Sequence, residues 1–232
     1  MSSSNKVLER MDKRIEGLCE DIDYYIDFFN KSDNFVGPSV YFHYKTLEQK
    51  HTKTTIETLL DDNMFFDYLY ATLASWGLHR MGPGNTKLVD IHLLKESIKA
   101  EIGLLRKLWG LSIYDLSKND AIIIANELWK LFSRIQVSIA EAKIVSCSKA
   151  LHHILPSLIP PIDRSYTYRF FYDRNMLSIS ENEALKEMYT RLHMIATANR
   201  NKIDCWVGKG FNTSVTKVID NAIVGYVLDE LD

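Results

Sequence analysis

Lys149 and Asp163 are the pair of side chains in this sequence best suited to chemistry. An amine can act as a nucleophile or a charge partner, and a carboxylate can take a proton or stabilise positive charge. Both lie in the stretch KIVSCSKALHHILPSLIPPIDRSYTYRFFY, residues 143–172. On a helical wheel at about 100° per residue, Ala140, Ile144, Cys147, Leu151, Ile154 and Leu155 gather on one side, with Ser146, Lys149, His152 and His153 opposite. The spacing therefore predicts a helix whose polar face carries Lys149, His152 and His153. Pro156 is expected to stop that helix, and Pro160 and Pro161 to stiffen the turn after it. Asp163 then stands as N-cap of a segment running from Arg164 to Tyr172, carried back beside the basic face. A carboxylate held against Lys and His perturbs pKa values and makes a general base or an electrostatic partner. The plainer alternative, and the commoner arrangement, makes Asp163 a cap only and gives the Lys/His face to solvent.

A second set of residues follows the same logic. In WGLHRMGPGN, residues 76–85, three glycines precede a helix expected to start at Lys87, with Asn85 or Thr86 as its cap. Backbone N–H groups at such a helix start, with Arg80 and Lys87, would hold an anion. His79 and Arg80 are expected to converge with Arg164 or Arg169 as an anion subsite of the Asp163 cleft. The stretch matches neither GxGxxG nor GxxxxGK[ST], and a simple helix–helix corner with His79 and Arg80 at its rim is the plainer reading. Tyr166, Tyr168, Phe170, Phe171 and Tyr172 offer faces on which bases stack, although five aromatics in so short a run more often fill a core. Other chemistries find little support. The seven histidines form no HExxH, HxH or i, i+4 pair, so no metal site and no cofactor are expected. Cys147 falls on the apolar face and reads as core, and no GxSxG elbow singles out Ser146 or Ser148.

The elements that must position these residues read as helices throughout. The chain has 232 residues, 46% of them hydrophobic and 25% charged, with only ten glycines and five prolines, a composition poor in tight hairpins. Helical spacing runs through residues 5–30, 55–76, 87–109 and 121–135, and a short helix is favoured over a strand for 37–51. Asp120 is expected to cap AIIIANELWKLFSRI, with Ile122, Ile123, Leu128 and Phe132 in the core. Ser180 begins a helix to about Lys202 as an N-cap with Glu183 at the capping-box position, and Ser214 leads the closing helix. The expected fold is all-α, one compact domain of about eight helices over residues 1–232. Cys19, Cys147 and Cys205 lie far apart without CxxC spacing, which fits a reducing cytoplasm. No stretch reaches the roughly 18 apolar residues of a membrane helix, and no membrane association is expected. A formal net charge of −2 removes the overall basic field of an avid nucleic-acid binder, so any nucleic-acid contact is expected from a local basic cleft.

Three blocks, GPSVYFHYKTLE (37–48), YATLASWGLHRMG (70–82) and SKALHHILPSLIPPIDRSYTYRFF (148–171), resemble a family of small helical microbial proteins, a likeness that carries no chemistry with it. More distantly, a helix bearing Lys149, a short proline-containing turn and Asp163 opening the next helix resemble the helix-hairpin-helix DNA glycosylases. Where the hairpin of those enzymes has glycine, this chain has Val145 and Cys147, and it has no cysteines for an iron–sulfur cluster. The resemblance implies a lysine able to form a Schiff base and an aspartate that assists N-glycosidic cleavage, roles that fall to Lys149 and Asp163. The expected function is recognition of a nucleobase or nucleotide, extending to base excision, in a cleft lined by His79, Arg80, Lys149, His152, His153, Asp163, Arg164, Tyr166 and Arg169. The alternative is a non-catalytic helical module whose polar face binds a protein partner.

Overall fold

The computed structural model describes residues 3–32, 35–79 and 87–231, among which thirteen α-helices and no strand are found. The all-α class is therefore as expected, but the helices are more numerous and shorter than the eight anticipated. Three long periodic runs are each broken at one residue. Residues 5–30 form α1 (Ser3–Glu20) and α2 (Ile22–Lys31), separated by Asp21 at φ −129°, ψ 43°. Periodicity reports which residues face the core but not whether the axis stays straight, so a bend that keeps the apolar stripe inward is invisible to it.

Pro38 in the first turn opens α3 (Pro38–His51), the helix favoured for residues 37–51. The run 55–76 becomes α4 (Ile56–Leu60), α5 (Asn63–Leu73) and a wide turn, Ala74–Leu78, in which Gly77 takes φ 80°. Reciprocal Thr55/Thr58 bonds cap α4, and the Asp62 carboxylate caps α5. Buried hydroxyls of Thr46 and Thr72, 2.8 Å apart, join α3 to α5. Arg80, Gly82, Gly84, Asn85 and Thr86 lie outside the described residues. The helix expected from Lys87 instead begins at Ile91, because the chain first pairs with residues 137–139: Val89 N–H donates to Val137 O and Ile139 N–H to Lys87 O. Asp90 then caps α6 (Ile91–Ala100), and Glu101 separates it from α7 (Ile102–Leu108).

Ser117, not Asp120, caps α8 (Lys118–Arg134). Asp120 stands three residues in and bonds back to Ser117, completing a capping box. The inward stripe is Ala121, Ala125, Leu128, Leu131 and Phe132, which leaves Ile122 and Ile123 45% and 56% exposed rather than in the core. A run of five apolar residues, Ala121 to Ala125, fits several helical phases, and the small alanines are the side that admits the neighbouring helix. After α9 (Ile144–His152) come a second wide turn, Arg164–Tyr168, and α10 (Arg169–Tyr172). The predicted Ser180/Glu183 capping box opens α11 (Glu181–Ala198), which packs on α8; Asn199 divides it from α12 (Arg200–Trp206).

Ser214 caps the last helix, α13 (Val215–Glu230), by accepting from Lys217 N–H. This helix is buried from Thr216 to Gly225 without a break, so it runs through the molecule rather than over it. Its closest approach is to α2: a Cβ on Gly225 would sit 2.0 Å from Tyr25 O, so only glycine permits the crossing. One apolar core runs from Met11 to Val227 and includes side chains from both termini. Among the described residues no helix is long and apolar enough to cross a membrane.

Candidate functional site

Helix α9 carries the residues singled out in the sequence, and it is enclosed on every side. Lys149 is only 7% exposed, and His152 and His153 are fully buried, so the expected solvated basic face does not exist. The face opposite Cys147 meets polar groups of α3 and α13 instead of water. A helical wheel cannot tell a polar partner from solvent. Cys147 is core as read, and burial pushes its thiol up to about 12.

Beyond α9 the chain turns through the prolines, and Ser148 ties it back by accepting the Ile162 N–H at 3.0 Å. That bond sets Asp163 against α9. Asp163 Oδ2 accepts from Lys149 Nζ at 2.8 Å, while Oδ1 accepts from Ser165 N–H at 2.7 Å. The carboxylate is thus both the predicted cap and the predicted charge partner, one oxygen for each. Lys149 Nζ also donates to Trp76 O at 3.3 Å, which joins the pair to the first wide turn.

Two cavities of about 310 Å³ each meet at this pair and share Trp76, Gly77, Lys149 and Asp163. That volume lies at the lower end of small-molecule sites, roughly 300–1,000 Å³. The first cavity is walled by Phe35, Trp76, Tyr166 and Phe211, and at its inner end lie Lys217 and Asp220 of α13. The second is polar, with Ser146, Arg164, Ser165 and Asn175 on its lining. Of the predicted residues, Lys149, Asp163, Arg164 and Tyr166 are therefore brought together. His79 is exposed just beyond the wide turn whose Gly77 and Leu78 line the polar cavity, while Arg80 lies outside the described residues. Arg169 reaches the C-terminal end of α13, where its guanidinium donates to Leu231 O at 2.8 Å.

His153 belongs to a chain of hydrogen bonds behind Lys149, while His152 Nδ1 lies 2.8 Å from Ile159 O on the returning chain. His153 Nδ1 is 2.8 Å from Lys149 O, His153 Nε2 is 2.9 Å from His43 Nδ1, and His43 Nε2 is 2.8 Å from Thr213 Oγ1. A carbonyl only accepts, which assigns every proton: His153 Nδ1–H donates to Lys149 O, His43 Nδ1–H to His153 Nε2, and the Thr213 hydroxyl to His43 Nε2. Both rings are neutral in this scheme. Burial lowers all three histidines, His153 to about 4, with the neighbouring rings and Lys217 adding to the effect at His43 and His152. His153 thus holds the Lys149 backbone and His152 the returning chain at Ile159, rather than lining an open cleft.

Lys217 and Asp220 were not anticipated. Lys217 Nζ donates to Asp220 Oδ2 at 2.6 Å and to Asn221 Oδ1 at 2.7 Å, and it lies 4.4 Å from the centre of the Phe211 ring. Burial drives Lys217 down and Asp220 up, and their contact opposes both shifts. The sequence did hold a signal: Thr216, Lys217, Asp220 and Asn221 form a polar i, i+3, i+4 set inside an otherwise apolar helix. Such a set inside a buried helix must be satisfied by the protein or a ligand.

Among the described residues no three His, Cys, Asp or Glu side chains are grouped as a metal site requires. Comparison with protein-family models, curated proteins and solved structures finds no match to this chain. Fold and cleft together define an all-α protein with a Lys/Asp pair at the junction of an aromatic cavity and a polar one.

Proposed function

We propose that this protein recognises a nucleobase or nucleoside unit and cleaves its N-glycosidic bond at the Lys149/Asp163 pair. The observation that carries this reading is the position of the 2.8 Å pair, with an aromatic-walled cavity on one side and a polar cavity bearing Arg164 on the other. The base enters the first, and the sugar and its phosphates face the second. As the bond from C1′ to the base nitrogen breaks, its electron pair leaves with the base and positive charge builds on the sugar. The Asp163 carboxylate stabilises that charge and accepts a proton from the water that adds to C1′, while the departing base takes a proton from solvent. Lys149 holds Asp163 in position; as a free amine it would itself add to C1′ as the base leaves, and passing one N–H proton to O4′ as the C1′–O4′ bond opens would leave a reducible imine.

The test is base release from damaged single- and double-stranded DNA and RNA oligonucleotides. The wild type should release base, and Asp163→Asn, which keeps the cap but loses the charge, should fold and release none. Asp163→Ala should in addition cost about 0.5–2 kcal/mol of stability. Borohydride trapping of a protein–oligonucleotide adduct, lost in Lys149→Gln, would identify the amine as nucleophile; release without trapping assigns water. Absence of release by the wild type on every substrate would overturn the reading and favour the non-catalytic module, for which the exposed Ile122 and Ile123 on α8 are the supporting surface.

A further inference from the structure

The aromatic cavity has an inner end that the glycosidic chemistry does not use. Of the three N–H donors on Lys217, two go to Asp220 and Asn221, and among the described residues no acceptor takes the third. Asp220 Oδ2 accepts from Lys217, and its Oδ1 has no hydrogen-bond partner among the described residues. Both side chains line the cavity, so a donor and an acceptor stand side by side at the end of an apolar slot. The rings of Phe35 and Phe211 are nearly parallel at 6.0 Å, and the Trp76 indole stands at 72° to Phe211. A planar ligand therefore finds a flat wall on one side and an upright one beside it. The lysines and aspartates that line this cavity, Lys149, Asp163, Lys217 and Asp220, sum to no formal charge, so nothing at the inner end draws in a phosphate.

We propose that this inner end is the subsite for a neutral nitrogen heterocycle of nucleobase type, lying against the aromatic walls with an acceptor and an adjacent N–H read by Lys217 and Asp220. The proposal rests on the glycosidic reading of the adjoining pair and names which part of the substrate is recognised there. Lys217 Nζ–H donates to the ring acceptor, a carbonyl oxygen or unprotonated ring nitrogen, and Asp220 Oδ1 accepts from the neighbouring N–H. A ring of the same size without that edge leaves both buried groups unmatched, which binding penalises.

The experiment is calorimetric titration of the full chain with 1-methyluracil, 9-methylhypoxanthine, 9-methyladenine and 1-methylcytosine, each capped at the nitrogen that carries the sugar, with 1,3-dimethyluracil and 1,9-dimethylhypoxanthine, whose second methyl group blocks the remaining N–H edge, and with indole as an apolar ring. At least one singly methylated base should bind saturably, and the second methyl group should weaken it by about tenfold or more. Indole should bind no better than the dimethylated bases. These comparisons use the unaltered protein, so no folding defect can imitate them. The double variant Lys217→Met/Asp220→Leu, which replaces the pair with apolar groups of similar size but takes the donor from Asn221 Oδ1, should lose stability without unfolding, as thermal unfolding would show, and abolish the preference for an unblocked edge. Binding of no base at millimolar concentration, equal binding of blocked and unblocked bases, or preference for indole would each overturn the proposal. Base release that ignores edge methylation would sink this subsite and leave the glycosidic reading standing. Edge-dependent binding with no release of base from any oligonucleotide would do the reverse.

Discussion

Asp163 shows how one side chain can satisfy two readings that a sequence sets in competition. Its two oxygens serve different partners, so capping and charge pairing are not alternatives. What holds it in place is Ser148, whose hydroxyl takes the buried Ile162 N–H. Ser148→Ala should orphan that N–H and cost about 1–3 kcal/mol in a denaturant titration. Because the same bond sets the position of Asp163, base release by the variant should fall further than its population of folded protein explains. The Lys149–Asp163 pair was legible because it depends on local geometry: a helix end, three prolines and a short return. The roles of Ser148, His152 and His153 were not, because they depend on which side of α9 meets α3, α13 and the returning chain.

Among the helices, α13 and α8 show what decides a packing face. Gly225 sits where α2 crosses α13, with Tyr25 O in the space a side chain would need. Gly225→Ala should therefore destabilise by about 3 kcal/mol or more, since backbone rather than a flexible side chain must move; thermal unfolding measures it. On α8 the expected contrast is between the faces. Ile122→Lys and Ile123→Glu should shift stability by no more than about 0.5 kcal/mol, while Leu128→Ala should cost about 2–5 kcal/mol. The caps of α11 and α13 at Ser180 and Ser214 were readable because a cap is written within four residues. The breaks at Asp21, Glu101 and Asn199 were not, because each lies inside a run whose apolar spacing continues unchanged across it.

Over the whole molecule, the three neutral histidines make stability depend on acid. His43, His152 and His153 have folded pKa values below the ordinary 6.5, so the unfolded chain binds more protons wherever pH lies between the two. Their contribution is fully present above 6.5 and is lost as pH falls from there toward about 4, the value for His153. Asp220, whose folded pKa is raised, acts in the opposite sense and blunts the lower end of that loss. The melting temperature should accordingly hold steady from pH 8 to 7 and fall steeply below about 6.5, and His153→Phe should flatten the fall even if it lowers the plateau. A profile flat between pH 6.5 and 4.5 would show the histidines to be solvated.

By itself the sequence determined the helical class, the caps at Asp163, Ser180 and Ser214, the burial of Cys147 and the nearness of Asp163 to Lys149. Each of these is set by spacing within a few turns of one helix or by a turn too stiff to go elsewhere. Only the tertiary structure decided that the polar face of α9 is sealed by His43, that Lys217 and Asp220 stand in the same cavity as Lys149 and Asp163, and that Ile122 and Ile123 face out. Those outcomes depend on contacts between residues far apart in the chain. A polar side chain is equally content with water or with a buried partner, and its own sequence neighbourhood does not say which it will meet.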